Sequence, residues 1–512
     1  MPSEAMPSDA GVRALLGIPY GLAPVGERRF RAPVAASPPD WSLPYDHFGP
    51  APVQAADGPF SGAVPGMAVG AVDEDCLTLN VWTPAEPEEA LPVLVWIHGG
   101  AFVVGGTAAP TYNGARLAAE QHVVVVTVNY RVGAFGFLDL RSVSGGETAD
   151  TNCGLRDQRL ALQWVHEHIA EVGGDPGSVT VFGESGGAGS IMHLLTTPAI
   201  GGVIRSAIAQ SPGIDFTQRA DLAATVAQAV LRKAGVATVG ELRDLTGDAL
   251  LAVQLSVSQR LLFEVGTMVF HPVVDGTFVT DTPSIALAAG TAADIALVIG
   301  CTADEMRLFP DPRADDLDRD GLTAWTHAYV TTRLAAEPEP GAAARLVGEY
   351  LDAAAGTARS RGSDVWAAIS ADGIMRQPVL RVAETRPGPA PTFVYQLDWQ
   401  ARHPERDLGA FHAIDLPFVF DAFDVDGWGE FIGADGAARA LGQIIRTAWA
   451  AFAATGDPSC VPLGTWPAYD AETRSTMVLD TTCRVEADPV RGERSRWHGL
   501  WDPACRPAGV PL

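Results

Sequence analysis

Short runs rich in β-branched residues recur along the chain with helical patterns between them. They cover Leu91–Ile97, 123–130, 178–182, Ser206–Gln210, 295–299 and Thr392–Leu397. A short, mostly apolar run suits a strand buried on both faces. Such strands alternating with helices predict an α/β fold, a mainly parallel sheet with helices on both sides. The clearest helix spans 155–172, where Leu160, Leu162, Trp164, Val165 and Ile169 form an apolar side and Gly173-Gly174 ends it. Two stretches break the alternation. Residues 215–265 and 311–370 are long, alanine-rich and helical, with Pro and Gly interruptions, and read as cap insertions on one domain of residues 1–512. No internal repeat and no low-complexity linker divides the chain.

Composition narrows the function classes. With 35 Lys plus Arg against 61 Asp plus Glu, the net charge of −26 argues against an electrostatic grip on nucleic acid or an anionic membrane. Lys233 is the single lysine, in an alanine-rich helical stretch with no phosphate loop before it. Schiff-base chemistry, Walker-type phosphate binding and Ser-Lys dyads are thereby excluded. Residues 1–11 lack a basic segment followed by an apolar one, and no run of 18 apolar residues occurs, so the expectation is a cytoplasmic protein without a membrane span. The six cysteines include no CxxC pair and read as reduced thiols, with a bridge among Cys460, Cys483 and Cys505 left open.

The strongest local signal is Val179-Thr180-Val181-Phe182-Gly183-Glu184-Ser185-Gly186-Gly187-Ala188-Gly189-Ser190. A strand runs into Gly183-x-Ser185-x-Gly187 and small residues continue into a helix. This is the nucleophile elbow, in which glycines two before and two after the serine let neighbouring elements pass a strained turn. A serine hydroxyl needs a base and an acid that orients it, and in this arrangement they follow in the order Ser, Asp/Glu, His. Of the late histidines, His327 lies in the second insertion, His403 in a charged loop and His498 in a polar tail. His412 follows the 392–397 strand and its loop, where a sheet edge presents an imidazole. The acid should end an earlier strand, and the loop after 295–300 offers both Asp304 and Glu305; spacing alone does not choose between them. The oxyanion formed on acyl transfer needs convergent N–H donors. The turn His98-Gly99-Gly100-Ala101-Phe102 after Leu91–Ile97 supplies Gly100 and Ala101, and Gly186 beside the nucleophile is the third.

These segments, in this order, make the chain resemble the type-B carboxylesterases, the α/β-hydrolase group that includes para-nitrobenzyl esterases, lipases and cholinesterases. The resemblance runs almost end to end. It takes in Gly17-Ile18-Pro19-Tyr20, Glu74-Asp75-Cys76-Leu77-Thr78-Leu79-Asn80-Val81, Asn129-Tyr130-Arg131-Val132-Gly133, Asp157-Gln158-Arg159-Leu160-Ala161-Leu162, Pro272-Val273-Val274-Asp275-Gly276 and Trp466-Pro467-Ala468-Tyr469. It implies glutamate as the acid, at Glu305, with a supporting serine at Ser211 and a buried glutamate at Glu184. It further implies a serine ester hydrolase without cofactor or metal, acting on small to medium esters as a monomer or dimer. A lipase or a carbamate or polyester hydrolase is the alternative, and a non-catalytic binding protein on the same fold the remote one. Three departures stand out: Gly186 replaces the usual alanine, no cysteine precedes Cys76 to bridge it, and Met306 stands where glycine is common.

Other motifs read as structural. His166 and His168 lie on different sides of a helix and make no zinc pair. Asp316-x-Asp318-x-Asp320-Gly321 copies half a calcium loop, but His327 occupies the twelfth position and removes the bidentate ligand, so an acidic surface loop is expected. Trp325, Trp366 and Phe270 are candidate pocket walls, with core packing as the competing role for each.

Overall fold

The computed structural model describes residues 11–500 apart from 57–61, 86–88, 198–199, 262–267, 335–338 and 426. The end of the first insertion and Cys505 lie outside the described residues. Among the described residues ten strands form one sheet: β1 (Val12–Pro19), β2 (Thr78–Pro84), β3 (Leu91–Ile97), β4 (Val124–Val128), β5 (Gly174–Glu184), β6 (Ser206–Gln210), β7 (Ala296–Thr302), β8 (Thr392–Leu397), β9 (Ser475–Leu479) and β10 (Arg484–Ala487). Their order is β1-β2-β4-β3-β5-β6-β7-β8-β9-β10. The pairs β1/β2, β2/β4 and β9/β10 are antiparallel and the others parallel, the mixed edges of an otherwise parallel α/β sheet.

The continuous apolar strands follow from a core on each face. In β3, Val93, Val95 and Ile97 enter one core while Leu94 and Trp96 enter the other; in β4, Val124, Val126 and Val128 part from Val125 in the same way. Successive side chains point to opposite faces, so a strand covered on both is apolar at most positions, with its few polar side chains hydrogen-bonded, as Asn80 is to Thr127. Trp96 anchors one face, its ring 5.1 Å from that of Tyr112, 4.8 Å from Phe182 and 4.9 Å from Phe420.

The helix expected over 155–172 is an α-helix from Cys153 to His168 that tightens into a 3-10 turn, Ile169–Val172. Gly173 closes it at φ 91°, the left-handed conformation that glycine adopts without strain. In the first insertion, the helices Ala220–Ala234 and Gly247–Leu261 pack into the main core through Val226, Val230, Leu250 and Val257. The second has a core of its own, in which Leu322, Val330, Leu346, Val347 and Ile369 join the helices Arg319–Leu334, Ala342–Ala354 and Gly362–Ala371. Trp325 and Trp366 pack edge to face there at 5.4 Å, and Phe270 is fully buried in the main core. Asp318 accepts the Gly321 N–H at 2.8 Å and caps the helix Arg319–Leu334. Cys76, Cys153, Cys301, Cys460 and Cys483 are free thiols. No described helix is long and apolar enough to cross a membrane.

Candidate active site

The carboxyl ends of β3, β5, β6, β7 and β8 bring the chemistry together. Ser185 sits between β5 and the helix Gly186–Leu195 at φ 55°, ψ −124°, a conformation strained for any residue with a side chain. The turn must pass under β3. A Cβ on Gly187 would lie 2.0 Å from the Ile97 carbonyl oxygen, and one on Gly183 2.7 Å from it, which is why both positions are glycine. The Ser185 N–H donates to the Gln210 carbonyl at 3.0 Å and the Gly189 N–H to the Ser185 carbonyl at 2.8 Å, so the strain is held by hydrogen bonds on both sides.

Glu305 follows β7 and His412 the loop after β8. The imidazole Nδ1 donates to Glu305 Oε2 at 2.5 Å, while Glu305 Oε1 accepts from Ser211 Oγ at 2.6 Å and from the Thr302 N–H at 2.7 Å. Asp304 is turned the other way. It accepts the Ala410 N–H at 3.0 Å and pairs with Arg359 at 2.7 Å, fastening the histidine loop to the acid loop. On the far side of the ring, His412 Nε2 lies 3.1 Å from Glu184 Oε1. Among the described residues no hydrogen bond joins Ser185 to the imidazole. Catalytic hydrogen bonds are often long before substrate binds and tighten afterwards.

Three buried carboxylates surround this ring. Burial works against a charged imidazole, but Glu184 and Glu305 outweigh it and raise His412 to about 9. Burial also raises Glu184, to about 8, and Asp415, to about 6. Burial acts on Glu305 in the same direction, yet the His412 charge and the hydrogen bonds from His412, Ser211 and Thr302 hold its carboxyl below the ordinary glutamate value. Sequence reasoning did not single out Asp415. A carboxylate set among Ile414, Leu416, Pro417 and Phe418 was the available signal, since a charge in an apolar run needs a built partner. Here the partner is Gln210, which donates at 2.6 Å and is itself held by Trp449 Nε1 at 3.1 Å.

The turn after β3 carries a run of left-handed residues, Gly100 at φ 111°, Ala101 at 52° and Phe102 at 63°. A Cβ on Gly100 would meet the Val104 carbonyl oxygen at 2.2 Å. His98 stiffens the turn from below: its Nδ1 donates to the Gly99 carbonyl at 2.9 Å, its ring stacks on Tyr130 at 4.3 Å, and burial lowers it to about 4, keeping it neutral. Gln54 braces the other end, exchanging two hydrogen bonds with Gly105. The N–H groups of Gly100 and Ala101 have no acceptor among the described residues, and Gly186 faces them. A methyl on Gly186 would stand 3.2 Å from Phe102 N and 3.3 Å from Ala101 N, so the glycine relieves crowding where the resembling family carries alanine.

These groups open into a cavity of about 280 Å³ lined also by Met67, Met268, Met306, Ile374, Met375 and Phe216. Trp325, Trp366 and Phe270 are absent from its described wall. A strand–serine–helix elbow at the carboxyl edge of this sheet defines an α/β-hydrolase. The sequence profile of the Carboxylesterase family matches residues 3–496, and the chain belongs to that family. It is 36% identical to the para-nitrobenzyl esterase of Bacillus subtilis (strain 168) over 96% of this chain and 95% of that one. It is 30% identical to the phenmedipham hydrolase of Pseudarthrobacter oxydans over 94% of each. Among solved structures, a thermophilic para-nitrobenzyl esterase superposes with a TM-score of 0.83 at 33% identity, covering 97% of both chains. The Geobacillus stearothermophilus carboxylesterase Est55 does so at 0.81 and 34%, covering 96% of this chain and 97% of that one.

Proposed function

We propose that this carboxylesterase hydrolyses neutral, apolar esters of small to medium size through an acyl-enzyme on Ser185. Ser185 Oγ attacks the ester carbonyl while His412 Nε2 takes its proton, and Glu305 holds the imidazolium. The N–H groups of Gly100, Ala101 and Gly186 receive the oxyanion. The imidazolium returns the proton to the leaving alkoxide as the C–O bond breaks. Water, deprotonated by the same imidazole, then releases the acid. The observation that carries this reading is the buried Glu305–His412 pair facing the strained serine across an apolar cavity.

At about 280 Å³ the cavity lies just below the roughly 300–1,000 Å³ usual for ligand sites, which supports short and medium acyl groups over long chains. The para-nitrobenzyl esterase relative supports aryl and alkyl esters in particular. The two helical insertions act as caps, the second through the chain that follows it, since Ile374 and Met375 reach the cavity. The free thiols support a reducing, cytoplasmic setting. One chain supplies every group named, so a monomer or dimer suffices. The test is hydrolysis of para-nitrophenyl esters from acetate to palmitate by the wild type and Ser185→Ala. Turnover on short chains should fall on the order of a million-fold in the variant. A long-chain optimum would make the protein a lipase, and serine-independent turnover would overturn the mechanism.

A further inference from the structure

Between the helices Gly362–Ala371 and Gln377–Thr385 the chain makes one π-helical turn, Asp372–Arg376. Single π turns insert a residue into a helix, shift its faces, and occur frequently at functional sites. This one is the partition between two cavities. Ile374 and Met375 line the cavity that holds Ser185 and His412. Asp372 and Arg376 line a second, polar cavity of about 350 Å³ together with Asp304 and Tyr350.

Arg376 is 7% exposed. Its Nη1 is ion-paired with Asp372, and its Nη2 donates to the carbonyl of Ala303 at 2.9 Å. Ala303 lies two residues before Glu305, and its own N–H is tied to the Leu397 carbonyl at 3.0 Å. Behind Arg376 the network continues: Asp372 accepts from Tyr350 Oη, which accepts from Trp497 Nε1 at 2.9 Å. A buried ion pair is weak evidence for stability, because apolar side chains of the same volume often serve as well. An apolar side chain at 376, however, could not hold a carbonyl of the acid loop.

We propose that Arg376 is a positioning residue for ester hydrolysis, fixing through the Ala303 carbonyl the loop from which Glu305 meets His412; this rests on the Ser185–His412–Glu305 reading above. The residue touches no substrate and acts only through Glu305, which separates it from a residue that merely stabilises the fold.

The test is a double-mutant cycle. Asp372→Asn with Arg376→Gln removes both charges together, so neither is left buried and alone, and Arg376→Lys keeps the charge. Each is made in the wild type and in Glu305→Gln, and kcat and KM for para-nitrophenyl butyrate are measured beside thermal melts. Misplacing a catalytic group by about 1 Å costs on the order of a hundred-fold, so kcat should fall about 10- to 100-fold with KM within about twofold. In Glu305→Gln the same change should cost less than about threefold, because no carboxylate remains to be placed. Arg376→Lys should recover part of kcat. An equal loss in both backgrounds, or wild-type kcat from a folded variant, would overturn the proposal. If the paired variant does not fold, Arg376→Lys in the two backgrounds decides the same comparison. Full activity in Ser185→Ala or Glu305→Gln alone would instead overturn the mechanism on which it rests.

Discussion

Replacing Glu184 by glutamine keeps the shape of the side chain and removes a charge 3.1 Å from the base. The raised value of His412, about 9 against an ordinary 6.5, corresponds to about 3 kcal/mol at about 1.36 kcal/mol per pH unit. That is the margin by which the carboxylates exceed the burial that opposes them. A unit charge at this distance contributes about 1 kcal/mol in water and about 5 kcal/mol at an effective dielectric constant of 20. Glu184, itself raised to about 8, carries most of its charge where the imidazole titrates, and its share lies between these figures. The sign follows directly. In the proposed mechanism His412 accepts the serine proton only when neutral, so kcat/KM rises as pH climbs through its pKa, and a lower pKa moves that rise to lower pH. Glu184→Gln should therefore shift the acidic limb of kcat/KM for para-nitrophenyl acetate down by about one to two pH units. The same loss weakens the base, so the alkaline plateau should fall about tenfold. The assay is initial rates from pH 5 to 10, corrected for spontaneous hydrolysis. An acidic limb that stays in place or moves upward would refute the electrostatic reasoning.

Two further outcomes test the frame around the site. Trp96→Ala empties a fully buried site shared by three aromatic rings and should lower the unfolding free energy by about 3–5 kcal/mol, read from denaturant midpoints at unchanged slope. Gly187→Ala places a methyl 2.0 Å from the Ile97 oxygen, backbone that cannot step aside, and should abolish soluble, active protein, whereas Gly436→Ala, with open space around it, should leave melting within about 2 °C.

Six central strands were legible because a sheet covered on both faces favours short, mostly apolar runs rich in Val and Ile. The strands that escaped notice lack such a run. β2 carries Asn80 in its middle, tolerable because its side chain donates to Thr127 Oγ1 and accepts the Gly17 N–H, partners that no local pattern reveals. β10, Arg-Val-Glu-Ala, is an exposed edge with no face to bury. At the site, the serine turn was readable from glycine spacing, since sterics act over a few residues. The choice between Asp304 and Glu305 was not. It depends on Ala410 and Arg359, about 106 and 55 positions away along the chain, which occupy the aspartate and leave the glutamate to the imidazole. The cavity walls were the least legible part, because apolar residues that face a void and apolar residues that face each other have the same composition; Trp325 and Trp366 found one another instead.

The origin of those walls carries a consequence for how such a protein can change over generations. Met67, Met268, Met306 and Met375 come from three separate connections outside the strands, those between β1 and β2, between β6 and β7, and between β7 and β8, whereas Ser185 and Glu305 follow β5 and β7 and His412 lies in the loop after β8. Unbranched and polarizable, methionine repacks around differently shaped neighbours without demanding a single rotamer. One wall can thus be exchanged at a time, and the preference altered, without disturbing the proposed serine, histidine and glutamate.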